Sequence, residues 1–164
     1  VLLARDLNAL FTGMPDDMPG RFTHLVGNYN LVAEYLHNKQ FSGLTKFAWF
    51  HSPRGWTMYD SLAAWAMKVR SPDRYYGMLV ELGFAEAATT ANGHLEANGF
   101  GYLFGERIID QLMLLKSNLD PMSAFRTAEA YLYWLPAEQR SSLERCAFEV
   151  ACGLDNHPLV SHLR

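Results

Sequence analysis

Apolar side chains along this chain recur mostly three and four positions apart, the spacing that gathers them on one face of an α-helix. The two-residue alternation of a half-buried strand is nearly absent. From Arg21 to His37, Phe22, Leu25, Val26, Tyr29, Val32, Ala33 and Leu36 keep the helical period. The turn-rich stretch Gly13 to Gly20, with Pro15, Asp16, Asp17 and Pro19, separates that helix from a short first one. Another helix is predicted over Ser42 to Phe50, and His51-Ser52-Pro53-Arg54-Gly55 breaks it. The next opens at Asp60 or Ser61 and runs through Val69. Ser71-Pro72-Asp73 reads as a cap with proline in the first turn of a helix that Gly83 closes.

The second half continues in the same way. Phe84 to Thr90 predicts a short helix ending near Asn92-Gly93, and a longer one covers Phe100 to Lys116. Asp120-Pro121 starts a helix to Leu135, and Pro136 starts one that stops at Gly153. There is no internal repeat and no linker that would divide the chain. The expectation is an all-α fold, a single compact multi-helix domain over residues 1–164.

Composition narrows the class. At 164 residues and 49% hydrophobic, the chain can bury a substantial core, which excludes a disordered or collagen-like protein. No run of about 18 apolar residues occurs, so no membrane span is predicted. Val1-Leu2-Leu3 meets Arg5 and Asp6 at once, unlike a secretory signal, and the absence of an initiator Met fits a trimmed or partial chain. On one helix Cys146 and Cys152 would lie about 9 Å apart along the axis, too far to bridge. They read as buried thiols in a reducing cytoplasm.

Charge is more informative by place than by sum. Between Lys39 and Arg74 stand six basic residues (Lys39, Lys46, Arg54, Lys68, Arg70, Arg74) and two acidic ones (Asp60, Asp73). That segment is +4, and with a total of −3 the remainder is −7. A basic face on an acidic body is compatible with a phosphate backbone, and equally with ordinary solvated helix faces.

Within it, Lys46 precedes Phe47-Ala48-Trp49-Phe50, and Asp60 follows Trp56-Thr57-Met58-Tyr59. An ammonium among apolar side chains is disfavoured as a cation, which is how a lysine becomes a nucleophile. A carboxylate beside it could stabilise a cationic transition state or move a proton. Each residue also has a plain structural reading: Asp60 as the N-cap of the next helix, Lys46 as a side chain lying over an apolar face.

The run Gly43-Leu44-Thr45-Lys46-Phe47-Ala48-Trp49-Phe50, with Trp56-Thr57-Met58-Tyr59-Asp60-Ser61-Leu62-Ala63-Ala64-Trp65, resembles the core motif of the helix-hairpin-helix DNA glycosylase superfamily, in the flavour of 8-oxoguanine DNA glycosylase-like bacterial proteins. The resemblance covers about residues 41–83. Thr45 stands where the family hairpin has its second glycine. It implies a helix-hairpin-helix glycosylase-like core, with Lys46 as Schiff-base nucleophile and Asp60 as electrostatic or acid–base partner. Trp49, Trp56, Phe50, Tyr59 and His51 would approach the extruded base or its sugar. Gly43, Thr45, Lys39, Arg54, Lys68 and Arg70 would meet the DNA backbone. The implied partner is double-stranded DNA carrying a modified base, and no cofactor is called for.

Other constellations carry less. The six histidines include no His-x-x-x-His pair, so no metal site is expected. Ser61 and Ser71 lack a serine-hydrolase context, and Asn98-Gly99-Phe100-Gly101 lacks the Lys-Ser/Thr ending of a phosphate loop. Glu106 and Asp110, four apart on one helix, read as solvated like charges. The competing reading is a non-catalytic helical protein-binding module, an inhibitor or adaptor docking a protein partner through an apolar helix face. Seven methionines and the run Tyr131-Leu132-Tyr133-Trp134 favour it.

Overall fold

A computed structural model describes residues 2–35, 41–116 and 137–164, and among these it contains helices and turns but no strand. The chain runs through α1 (Leu2–Phe11), α2 (Met18–Gly27), a 3-10 turn (Tyr29–Leu31), α3 (Phe41–His51), α4 (Ser61–Ala66) and α5 (Pro72–Glu81). It continues with α6 (Phe84–Ala97), α7 (Gly105–Lys116), α8 (Ala137–Gly153) and α9 (Pro158–Leu163). The all-α expectation holds. Among the described residues no helix is long and apolar enough to cross a membrane.

The helices share one apolar core. α7 lies between α6 and α4, α8 packs on the other side of α6, and α2 packs on α5. Trp56, Tyr75, Tyr76, Phe84, Leu95 and Met113 are fully buried at its centre. Burying each such side chain stabilises the fold by about 1.5–3 kcal/mol. The closest approach is made where α7 starts against α6. A Cβ on Gly105 would stand 2.7 Å from the Ala91 Cβ and 2.8 Å from the Ala88 carbonyl, so a larger residue would push the two helices apart.

Several boundaries differ from the sequence expectation, each for a local reason. α2 begins three residues before Arg21 because Asp17 caps it, accepting from the Gly20 N–H at 2.8 Å, with Pro19 in its first turn. It stops at Gly27 and passes into the 3-10 turn instead of continuing to His37. α6 runs unbroken through Asn92-Gly93, because the Asn92 side chain serves the next helix: its Oδ1 accepts from the Gly105 N–H at 2.8 Å. Gly99, at φ +80°, ends that stretch, and α7 starts at Gly105, not Phe100. α4 stops at Ala66, short of Val69. α9, started by His157-Pro158, was not foreseen.

Both thiols are free, but only Cys146 is buried; Cys152 is exposed, since it occupies the outer side of α8. The helix expected from Asp120 to Leu135, the Tyr131–Trp134 run and Lys39 lie outside the described residues.

Burial pushes the phenols of Tyr75 and Tyr76 above the ordinary tyrosine value. A group held protonated by folding contributes stability that is complete below the unfolded pKa of about 10 and is lost as pH rises beyond it. An alkaline titration should therefore show phenolate absorbance rising in two phases, the later one together with loss of the helical circular-dichroism signal. Complete phenolate formation with the helical signal intact would contradict this burial.

Candidate active site

α3 presents two faces. Leu44, Thr45, Ala48 and Trp49 are buried in the core, while Lys46, Phe47 and Phe50 lie outside. After His51 the chain turns through Ser52–Gly55 and is fastened there by the buried guanidinium of Arg21. Its Nη1 donates to the carbonyls of Ser52 and Arg54, both at 2.8 Å, and its Nε donates to the Pro15 carbonyl at 2.7 Å. Nη2 donates to the Ser52 hydroxyl at 3.2 Å and lies 3.6 Å from the exposed Asp16 carboxylate. The guanidinium also sits over the Trp56 ring, 5.6 Å from its centroid. Burial lowers the Arg21 pKa, opposed chiefly by Asp16, yet an arginine remains charged through such a shift.

A carboxylate grips the same loop from α7. Glu106 accepts from the Gly55 N–H at 2.9 Å and from the Asn92 side chain at 3.2 Å. Gly55 takes φ +81°, and a Cβ there would come within 3.2 Å of the Asp16 carbonyl, so glycine is required. Glu106 and Asp110 are both only 2% exposed, which overturns their reading as solvated charges. Glu106 is satisfied by the loop and by Asn92, and the Asp110 Oδ2 pairs with Arg107, three residues earlier on α7.

Beyond the loop, Thr57 to Asp60 runs back alongside α3. The Tyr76 hydroxyl donates to the Thr57 carbonyl at 3.1 Å. The Thr45 hydroxyl donates to the Ser42 carbonyl and accepts from the Tyr59 N–H, each at 3.0 Å. That second bond sets the register. It places Asp60 beside Lys46, the neighbour of Thr45 on α3.

Asp60 then has two roles. Its Oδ1 accepts from the Leu62 N–H at 2.8 Å and caps α4, while its Oδ2 lies 3.8 Å from the Lys46 Nζ. That separation is an ion pair too long for a hydrogen bond. The side chains are 48% and 29% exposed, so the apolar enclosure expected around Lys46 is absent. Lys46 lies on the outer face of α3, where Phe47 and Phe50 are exposed too and cover little. An exposed pair of this kind stabilises the fold by about 0.2–1 kcal/mol, so its interest is chemical. It offers an amine on the middle turn of α3 and a carboxylate at the cap of α4, both open to a substrate.

The other candidate residues divide sharply. Trp56 is fully buried, stacked on Tyr76, with its Nε1 donating to the Ser52 carbonyl at 3.0 Å; it is core and has no face for a base. Trp49 is nearly buried against Phe104. Thr45 is buried with its hydroxyl fully engaged, so it cannot meet a DNA backbone. Gly43 lies inside the first turns of α3, which leaves no hairpin at Gly43-Leu44-Thr45.

Tyr59 is half-buried, edge-on to Tyr75, and His51 is exposed at the end of α3 with its ring 5.0 Å from Phe11. Arg54 is exposed with its guanidinium 5.0 Å over Phe104. Lys68 and Arg70 are exposed at the far end of α4. Among the described residues no three His, Cys, Asp or Glu side chains gather as a metal site.

Sequence reasoning missed Arg21 and Glu106, the two residues that hold the loop. The only signal for Glu106 was its position just before the apolar pair Ile108-Ile109, and Arg21 had none. Compared with protein-family models, curated proteins and solved structures, the chain matches none.

Arg21→Ala would strand the Pro15 and Arg54 carbonyls, while the Ser52 carbonyl keeps the Trp56 Nε1; it should destabilise the fold by about 2 kcal/mol or more, because each unsatisfied buried polar group costs about 1–3 kcal/mol. Thr45→Val should cost about 1–3 kcal/mol for the same reason. Urea unfolding measures both, and losses within the scatter of Arg5→Ala, an exposed control, would contradict the assigned bonds.

Proposed function

We propose that this chain is a DNA base-excision enzyme of the cytoplasm, acting on double-stranded DNA with a modified base, and that α3, the loop and α4 form its glycosylase-like core. The single observation that carries the reading is the Lys46 amine 3.8 Å from the Asp60 carboxylate at an open surface within the basic segment of the chain. Support also comes from the exposed rings of Phe47 and Phe50 on the same helix, available to an extruded base.

The chemistry follows from those two groups. As the bond between the base and sugar C1′ breaks, its electron pair leaves with the base and positive charge develops on the sugar. The Asp60 Oδ2, not used in capping, faces that charge and stabilises it. Lys46 gives a proton to Asp60 and its nitrogen attacks C1′. Opening of the sugar ring leaves a protonated imine on Lys46. Loss of a C2′ proton then expels the 3′ phosphate and nicks the strand. With Gly43 inside a helix, backbone phosphates are left to side chains such as Arg54 instead of a glycine hairpin.

A second reading, the protein-binding module, is favoured by one observation: Phe47, Phe50, Leu62 and Trp65 are all exposed on α3 and α4. A panel of duplexes carrying different modified bases, assayed for base release and strand nicking under single turnover, separates the two. Release from at least one duplex is expected. Asp60→Asn, which keeps the cap oxygen, should slow it about 10²–10³-fold, and Lys46→Gln should abolish nicking. Inactivity on every duplex would reject the excision reading in favour of the binding module.

A further inference from the structure

The end of α4 remote from Asp60 carries a second site. There Trp65, Lys68 and Arg70 meet His162 and Arg164 around an open cleft of about 440 Å³. α4 has six residues, so this cleft lies about 9 Å further along the helix axis than the capping carboxylate. Among the described residues no carboxylate side chain lines it, although the chain outside Lys39–Arg74 carries −7. Trp65 is 52% exposed, an unusual placement for an indole in a protein whose Trp56 is fully buried.

The backbone beneath the cleft is strained in an informative way. α4 closes with the Lys68 N–H on the Trp65 carbonyl and the Val69 N–H on the Ala64 carbonyl, both at 2.9 Å. This closure puts Lys68 in the left-handed position that glycine normally fills, at φ +58°. Among the described residues it is the only non-glycine with positive φ. Glycine would adopt this conformation with less strain, whereas the lysine here places an ammonium on the cleft. The facing wall is fixed as well: the His162 Nε2 lies 3.4 Å from the Met67 carbonyl, and Arg164 is paired with Asp155.

We propose that this cleft binds a nucleotide, with Lys68 and Arg70 on its phosphate and its base stacked on Trp65. Cationic side chains recognise phosphate by charge-assisted hydrogen bonds, and an exposed indole accepts any base face. The nucleotide is either a free monophosphate or one unit of a strand; both present the same phosphate and ring. The assignment does not depend on excision at Lys46.

Calorimetric titration of the intact protein with thymidine monophosphate, thymidine, inorganic phosphate and a short oligothymidylate tests it. Thymidine monophosphate should saturate one site, with thymidine and phosphate each binding about tenfold more weakly or worse. Arg70→Gln should weaken monophosphate binding about tenfold, and Trp65→Leu should reduce it to the level of inorganic phosphate. Lys68→Gly should lose affinity while its Tm rises, since glycine adopts this conformation without strain; the loss is then not one of folding.

Tighter binding of the oligothymidylate identifies a strand as the source, and equal binding identifies the free nucleotide. Lys46→Gln should leave monophosphate affinity unchanged, which keeps this test separate from that of excision. Absence of saturable monophosphate binding overturns the proposal. So does affinity unchanged in the Lys68→Gly/Arg70→Gln double variant, or inorganic phosphate binding as tightly as the nucleotide.

Discussion

A single guanidinium sealed inside the protein decides where the loop between α3 and α4 goes. Removing an arginine from water costs several kcal/mol unless its donors are met. Here Arg21 meets them with the carbonyls of Pro15, Ser52 and Arg54 and the Ser52 hydroxyl. The Ser52 carbonyl also accepts from the Trp56 Nε1, so the cation, the loop and the indole hold one another in place. Glu106 completes the arrangement by binding the Gly55 N–H from the opposite side. The loop is thus held by its carbonyls through a cation and by an amide through an anion. Everything downstream, from the Trp56 ring under the guanidinium to the Thr45–Tyr59 bond, inherits its position from that pair of contacts.

The consequence for chemistry is one of register. Lys46 belongs to α3, whose buried face fixes its rotation, and Asp60 belongs to the first residue before α4. The two helices are joined by irregular chain, which by itself would allow many relative placements. Thr45 removes that freedom because a buried hydroxyl accepts the Tyr59 amide one residue before Asp60. Capping then fixes one carboxylate oxygen and leaves the other directed to the amine. The same geometry spaces the charges on α4: the acid stands at its start and the Lys68 and Arg70 cations beyond its end, one short helix apart.

Much of this was legible in the sequence, for physical reasons that can be named. Ser71-Pro72 and Asp60-Ser61 identified where α5 and α4 begin, because caps are local and use short polar side chains, whereas the end of α4, expected at Val69, falls at Ala66. The proximity of Lys46 and Asp60 was also anticipated. Long-range satisfaction was not. Asn92-Gly93 signals a helix end, but Asn92 spends its side chain on the Gly105 amide and the helix continues. In the sequence Trp56, after a polar loop, and Thr45, on a helix, look as available as any aromatic or hydroxyl, yet both are core. Nothing in the neighbours of Arg21 announces a buried arginine, since its acceptors are backbone carbonyls that every residue possesses.

The most direct measurement is the location of a trapped sugar on the protein. Borohydride reduces an imine between an amine and an opened sugar, and peptide mapping of the reduced adduct formed on lesion duplex identifies the amine. The sugar is expected on Lys46, with markedly less adduct when Asp60 is changed to Asn. An adduct on any other amine, or one on Lys46 that forms equally well without the Asp60 carboxylate, would contradict it.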